Sequence, residues 1–262
     1  MRRILAFAAL ALVPALASAT DFLFKVPLQI SNLDERVKAF TALIERRRQG
    51  EPIAYITGHR EFWSLDLTVS PATLIPRPET ELLVEQALAR IPAEASRRVA
   101  DLGTGCGAIA LAIAHERPLA RVVATEASDA ALAVARSNAH RLGLTNVEFR
   151  CGEWFAPLSE EQFDIVVSNP PYLRTDDPHL GEGDLRFEPR AALVAGNDAL
   201  GEIRIIARAA RNHLVFGGWL LLEHGLDQAT SVRSMLADAG YVEFQSYRDL
   251  AGHERVSAGR FL

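Results

Sequence analysis

Phe163-Asp-Ile-Val-Val-Ser-Asn-Pro-Pro-Tyr172 reads as a buried strand that stops abruptly. Phe163 to Val167 form a short run rich in apolar and β-branched residues, as a strand covered on both faces requires. Neither Pro170 nor Pro171 has an N–H to give to a ladder, so the sheet cannot continue through them. They lock a rigid, extended turn at the strand's carboxyl end, the edge where open α/β sheets bind ligands. On that turn the side-chain oxygen of Asn169 and the carbonyl of Pro170 form a pair of fixed acceptors. Such a pair can hold both hydrogens of a planar –NH2 group, as on an adenine, a cytosine or a carboxamide. Standing alone, the tetrapeptide would be an ordinary Asn-Pro turn.

It does not stand alone. Upstream, Arg98-Val-Ala-Asp-Leu102 is a second short strand, followed by Gly103-Thr-Gly-Cys-Gly107 and the helical run Ala108 to His115. Glycines at 103, 105 and 107 let the backbone turn tightly and approach a ligand, and a helix N-terminus offers free N–H groups. The spacing G-x-G-x-G lacks the third glycine of the dinucleotide fingerprint. Asp101 ahead of the loop suits a cationic or amine-bearing ligand and would repel a pyrophosphate. The next strand, Arg121 to Thr125, ends at Glu126, placed to accept the two hydroxyls of a ribose. After a third strand, Asn146 to Arg150, come Glu153, suited to an adenine amino group, and Trp154, suited to stack on its ring.

Four strands thus deliver Asp101, Gly103–Gly107, Glu126, Glu153, Trp154 and Asn169–Tyr172 to one edge of one sheet. This order resembles that of the S-adenosylmethionine-dependent methyltransferases, and N-P-P-Y marks their amino-methylating branch. The flanks carry a narrower resemblance: Gln49 to Gly58, Arg60-Glu-Phe-Trp63, Leu74-Ile-Pro-Arg-Pro-Glu-Thr-Glu81 and Arg186-Phe-Glu-Pro189 are similar to the PrmC/HemK family. That family methylates the glutamine N5 in the Gly-Gly-Gln loop of peptide-chain release factors, and the likeness runs from about Leu33 to the C-terminus. It implies a Rossmann-like class I fold, with a mostly parallel seven-stranded sheet, helices on both faces and a small helical and hairpin appendage in front. It implies S-adenosyl-L-methionine as cofactor, with cofactor contacts on Gly103, Thr104, Gly105, Cys106, Gly107, Glu126, Trp154 and Asn169, to which the reading of the strand ends adds Asp101 and Glu153. Asn169, Pro170 and Tyr172 would carry the catalysis. Substrate contacts would fall on Asn169, Pro170, Pro171 and Tyr172, with Arg77, Glu79 and Glu188 lining the site. Glu126 stands where many members have Asp.

Other readings stay open at several of these positions. Pro78 with Glu79 and Glu81 is also ordinary helix initiation. Arg186 and Glu188 lie in a long stretch, Leu173 to Arg190, without apolar periodicity, which reads as a flap over the substrate. An N6-adenine methyltransferase of DNA or RNA, or a catalytically silent cofactor-binding protein, would share the core motifs.

Composition bears on partners. The chain has 262 residues and a net charge of −5, with 49% hydrophobic residues. An acidic balance argues against a protein living on nucleic acid, whose footprint is a basic face. Arg46-Arg-Arg48 ends a helical stretch from Leu33, where cations suit the helix dipole. Seven histidines without paired spacing and two cysteines, Cys106 and Cys151, give no expectation of a metal. The expected organisation is a signal-like or truncated segment at 1–20, a remnant of an N-terminal docking region with a hairpin (Tyr55 to Val69) at 21–77, and the catalytic domain at 78–262. Beyond the N-P-P-Y loop, a helix over Leu200–Leu214, a strand over Gly218–Glu223, a helix over Gln228–Ala239 and two closing strands are expected. Residues 1–19, with Arg2-Arg3, an uncharged run and Ala17-Ser-Ala19, have the parts of a secretory signal. The cytoplasmic supply of cofactor and release factor points the other way. The expectation is a cytoplasmic monomer that does not engage a membrane.

Overall fold

Apolar residues in the central strands fix the architecture, because a strand that must bury both faces has to sit inside a sheet covered on each side. The protein is described here by a computed structural model over residues 33–262. The signal-like segment and the linker-like stretch to Asn32 lie outside the described residues. Among the described residues no helix is long and apolar enough to cross a membrane.

The chain divides into two compact units, one ending at Thr57 and the other spanning Gly58–Leu262. In the first, α1 (Leu33–Arg48) has Asp34 and Glu35 in its first turn and Arg46, Arg47 and Arg48 in its last, the charge order a helix dipole favours. A short α2 (Ile53–Thr57) follows. The expected hairpin therefore starts later than Tyr55, because Ile53–Thr57 is helical. Its strands are β1 (His59–Phe62) and β2 (Leu65–Thr68), paired antiparallel.

This hairpin belongs to the second unit and not to the N-terminal segment with which the sequence grouped it. Phe62, Leu65, Leu67 and Val69 are buried. The Asn138 side chain, itself fully buried, accepts from Thr68 N at 2.8 Å and donates to Thr68 O at 2.9 Å.

A 3-10 turn, Pro78–Thr80, leads into α3 (Glu81–Leu88). The alternation then runs β3 (Arg98–Leu102), α4 (Ala108–Glu116), β4 (Arg121–Glu126), α5 (Asp129–Leu142), β5 (Val147–Cys151) and β6 (Phe163–Ser168). After a long connection come α6 (Gly201–Ala209), β7 (Leu214–Glu223), α7 (Ala229–Asp238), β8 (Val242–Arg248) and β9 (Glu254–Arg260).

The seven-stranded sheet has the order β5-β4-β3-β6-β7-β9-β8. Pairing is parallel from β5 to β7, and β9 runs antiparallel to both of its neighbours. Successive strands step outward from β3 to β5, and β6 then returns to the other side of β3. With right-handed crossovers this puts α4 and α5 on one face and α6 on the other. It also makes the gap between the ends of β3 and β6 the topological switch point.

Helix α4 shows why the sheet is covered so completely, since every residue from Ala108 to Ala114 is buried. On the face of α6 and α7, Ile203, Ile206, Val232 and Leu236 pack with Phe163, Val166, Leu220 and Leu222. Helix α5 starts at an N-cap, with Ser128 accepting from Ala131 N, and ends at Gly143 in the left-handed region (φ 68°).

The expected helix over 200–214 is cut short. It ends at Ala209, a 3-10 turn covers Ala210–Asn212, and β7 begins at Leu214, well before Gly218. The β6–β7 register shifts between Phe163 and Ile165, and the extra length of β7 is taken up there. Gly217 at φ 83° accommodates the bulge, and a Cβ on Gly218 would lie 2.9 Å from Val215 O. A bulge of this kind reads in sequence as loop.

Candidate active site

A cavity of about 310 Å³ opens at the carboxyl ends of β3, β4, β5 and β6. Its wall includes Gly103, Gly105, Glu126, Glu153, Trp154, Asn169 and Pro171. Four strand-end motifs that are far apart in sequence thus share one space.

The glycine loop forms because β3 stops pairing and turns over the end of β4. Gly103 N and Thr104 N both donate to Thr125 O, at 2.9 and 3.0 Å. Gly103 has φ 72°, and a Cβ there would come within 3.0 Å of the Trp154 ring. Glycine is therefore required twice, for the backbone conformation and for the indole that lies against it. Trp154 is held by its own left-handed backbone (φ 45°) and by donation from Nε1 to Glu202 Oε2 at 3.0 Å.

Glu126 binds the loop together. Its Oε2 accepts from Gly105 N and its Oε1 from Ser128 N, each at 2.9 Å. A carboxylate has about four lone-pair positions, so two remain for a ligand in the cavity. Paired hydroxyls fit this arrangement.

Asp101 does not reach the cavity. It is fully buried, and its Oδ2 accepts from the Thr104 hydroxyl at 2.6 Å and from Ala110 N at 3.1 Å, which ties the loop to the first turn of α4. Burial pushes its carboxyl up to about 7, against the pull of those two hydrogen bonds. Its task is to shape the loop, and a direct contact with a cationic ligand is not what the geometry offers. Thr104, Cys106 and Gly107 likewise stay off the cavity wall. Burial pushes the Cys106 thiol up to about 12, so it is an inert packing group.

At the end of β6, Asn169 Nδ2 donates to Thr80 Oγ1 at 3.3 Å. That contact anchors the amide nitrogen and leaves Oδ1 to accept. The Tyr172 backbone is pinned from the next connection, where Gln228 Nε2 donates to Tyr172 O at 3.0 Å while Gln228 Oε1 accepts from Gly225 N at 2.8 Å. Burial holds the Tyr172 hydroxyl well above its ordinary range, so it stays neutral.

The connection after Tyr172 is more ordered than its sequence suggests. Leu173 N donates to Leu193 O at 3.0 Å and Ala195 N to Leu173 O at 2.9 Å, closing the loop at its base. Pro189, Ala191, Ala192 and Val194 then wall the cavity.

Arg77 and Glu188 form a staple beside this wall and do not line it. They are ion-paired, and Glu188 Oε2 also accepts from Ile75 N at 2.9 Å, with the Glu188 side chain fully buried. Removing one partner of a buried pair strands the other's charge. Arg77→Ala is expected to destabilise the fold by about 3 kcal/mol, read by chemical denaturation, whereas a solvated pair would give under about 1 kcal/mol. Glu79 lies at a separate depression with Trp63, Glu81 and Leu250.

Ala72, Thr73, Leu74, Ser128 and Glu202 also line the cavity and were not foreseen. Leu74 opens a motif that the sequence did flag. Glu202 arrives from α6, and nothing in its local pattern points to a site. Among the described residues no group of three or more His, Cys, Asp or Glu is arranged to hold a metal.

Sheet order, switch point and strand-end constellation define a class I methyltransferase. Solved structures agree on the fold: the hMettl16 catalytic domain (TM-score 0.61, 16% identity, 78% of this chain and 77% of that one) and the T. Thermophilus 16S rRNA methyltransferase RsmC in complex with AdoMet and guanosine (TM-score 0.58, 20% identity, 78% and 50%). The methyltransferase small domain matches residues 78–182 and the PrmC N-terminal domain residues 29–58. Release factor glutamine methyltransferases are 56% identical in Xylella fastidiosa (85% of this chain, 81% of the relative), 52% in Escherichia coli (87% and 82%) and 51% in Pseudomonas aeruginosa (96% and 91%). The chain belongs to the release factor glutamine methyltransferase family.

Proposed function

We propose that this chain transfers a methyl group from S-adenosyl-L-methionine to the side-chain amide nitrogen of the glutamine in the Gly-Gly-Gln loop of peptide-chain release factors. The observation that carries the reading is the Asn169 amide, anchored through Nδ2 with Oδ1 left open, on the wall of the cavity that Gly103, Gly105 and Glu126 floor.

S-adenosylmethionine supplies an electrophilic methyl group on a sulfonium. The Gly103–Gly105 backbone gives it close approach, Glu126 takes its ribose hydroxyls, Trp154 offers a flat face for the adenine, and Glu153 can accept from the adenine amino group. A carboxamide nitrogen is a poor nucleophile because its lone pair is delocalised into the carbonyl. Asn169 Oδ1 and the Pro170 carbonyl accept from its two N–H groups, which favours pyramidalisation and aims the lone pair at the methyl. Holding the reacting atoms roughly 3–3.5 Å apart can lower the barrier by several kcal/mol. Tyr172, neutral and packed, excludes water. The nitrogen becomes acidic once methylated, so no strong base is needed.

Residues 78–262 then form the catalytic domain, and the segment that matches the PrmC N-terminal domain helps to dock the protein substrate. We place the reaction in the cytoplasm, where cofactor and release factor meet, with the enzyme acting as a monomer.

Two measurements test the reading together. Calorimetric titration is expected to show binding of S-adenosylmethionine and of its demethylated product, but not of NAD. Intact mass and peptide mapping of a purified release factor after incubation should place one methyl group on the Gly-Gly-Gln glutamine. Label on adenine of nucleic acid, with none on the protein, sinks the proposal.

A further inference from the structure

Strand β7 ends at Glu223, and the parallel register that pairs Ser168 with Leu222 sets that end beside Asn169. The residues that follow it hold the Asn169–Tyr172 turn from outside. A turn built on Pro170 and Pro171 has a stiff internal shape, but neither proline has an N–H with which to tie it to the rest of the molecule. Carbonyls and side chains must supply the tie, and in the function proposed above the Pro170 carbonyl is kept for the substrate. Gln228 takes the next carbonyl but one, donating from Nε2 to Tyr172 O at 3.0 Å.

The direction of that bond is not free. Gln228 Oε1 accepts from Gly225 N at 2.8 Å, and only the oxygen end of an amide can do so, which leaves the –NH2 end for Tyr172. Gly225 is gripped in turn at its carbonyl, which accepts from Gln228 N at 3.0 Å and from His224 Nδ1 at 2.9 Å. A carbonyl only accepts, so Nδ1 carries the imidazole hydrogen. The ring is fully buried, and burial holds it below its ordinary pKa range and neutral. Nε2 must then accept, so the Ser257 hydroxyl, 2.8 Å away, gives it a hydrogen. Ser257 accepts from Ser246 at 2.8 Å, and Ser246 from Arg233 Nη1 at 2.6 Å. Each bond in the series from Arg233 on α7 to Tyr172 thus has one direction. Gly225 also has no room for a side chain, since a Cβ there would stand 3.1 Å from both Cδ and Oε1 of Gln228.

We infer that Gln228, oriented by Gly225 and His224, is a positioning residue that fixes the Tyr172 end of the Asn169–Tyr172 turn, and with it the placing of the two acceptors for methyl transfer. Those acceptors are Asn169 Oδ1 and the Pro170 carbonyl. The other end of the turn is held by Asn169 Nδ2 on Thr80 and by the pairing of Ser168 in the sheet. With both ends held, the acceptors meet the two N–H groups of one planar amide without moving as charge develops, which is what preorganisation requires. The inference rests on the reading of this turn as the acceptor pair for the substrate amide.

The test compares Gln228→Met, Gln228→Glu and Gly225→Ala by single-turnover methyl transfer to a release factor at saturating cofactor. KM for the protein substrate, cofactor affinity and thermal unfolding are measured alongside. Gln228→Met keeps the length and deletes both polar ends. Gln228→Glu, ionised at about pH 8, keeps the bond from Gly225 N but sets an acceptor against the Tyr172 carbonyl. Each is expected to slow the transfer step about tenfold to a hundredfold, with KM and cofactor affinity near those of wild type. Gly225→Ala deletes no polar group and pushes the Gln228 amide aside, for a loss of about threefold to tenfold. Folded Met and Glu variants that transfer at the wild-type rate overturn the inference. So does a Glu variant at the wild-type rate beside a slow Met variant, since Gln228 would then serve only the Gly225 turn, or a loss that falls wholly on KM. Where the Gln228 variants do not fold, Gly225→Ala decides, and a wild-type rate there overturns the inference. A wild-type protein that itself fails to methylate the release factor would instead overturn the function proposed above.

Discussion

Asn169→Ala is expected to lower the rate of methyl transfer by about 100- to 1,000-fold while leaving the affinity for S-adenosylmethionine largely intact. The estimate follows from removing one preorganised polar contact to the reacting group, made strongest as charge develops on the nitrogen. Asn169 lines the cavity, but in the function proposed above the cofactor's heaviest anchors lie elsewhere, on Glu126 and the Gly103–Gly105 backbone. Asn169→Asp should be the milder change. Aspartate keeps an oxygen where Oδ1 stands, and its charge favours a nitrogen turning positive. It loses the donation from Nδ2 to Thr80 and sets a second carboxylate near the buried Glu223, so it should still fall below wild type. Single-turnover rates at saturating cofactor should rank wild type, then Asp, then Ala. An Ala variant as fast as wild type would make Asn169 only a turn residue.

What the sequence could reveal and what it could not divide along physical lines. The run from Phe163 to Tyr172 fixed the strand, its end and the site edge, because two prolines and a continuous apolar run leave few alternatives. Glu126 was placed correctly at a strand end, since strand length and alternation locate it. Asp101 was misread as a ligand contact. A carboxylate ahead of a glycine loop looks the same in sequence whether it faces the ligand or turns inward to Thr104 and Ala110 N, and only its complete burial separates the two. The start of β7 was missed because a bulge carried by Gly217 and Gly218 resembles a turn. Glu188 looked like a flap residue free to meet substrate, whereas its side chain is spent on Arg77 and Ile75 N. Contacts between elements distant in sequence, such as Thr80 with Asn169 or Trp154 with Glu202, leave no local pattern to read.

Glu126 carries the second large effect, and its chemistry makes the outcome sharp. Its two oxygens each accept a backbone N–H, from Gly105 and Ser128, before any ligand arrives. Replacement by alanine removes the proposed ribose acceptors and also releases the glycine loop from the start of α5. Two charge-assisted hydrogen bonds to the ribose hydroxyls, at about 1.5–3 kcal/mol each, set the expected loss of cofactor binding at roughly 3–6 kcal/mol. Glu126→Gln separates the two roles. An amide has one oxygen, so it must present its –NH2 to either Gly105 N or Ser128 N, donor against donor. It should therefore bind cofactor much more weakly than wild type even though it keeps the size and an acceptor. Glu126→Asp keeps the charge but is one methylene shorter, so it can serve the ribose or brace the loop but does both together less well than Glu. Calorimetric affinities should rank wild type, Asp, Gln and Ala, from tightest to weakest. Gln binding as tightly as wild type would mean that the backbone contacts do not preorganise the loop, and Ala doing so would remove Glu126 from the cofactor site altogether.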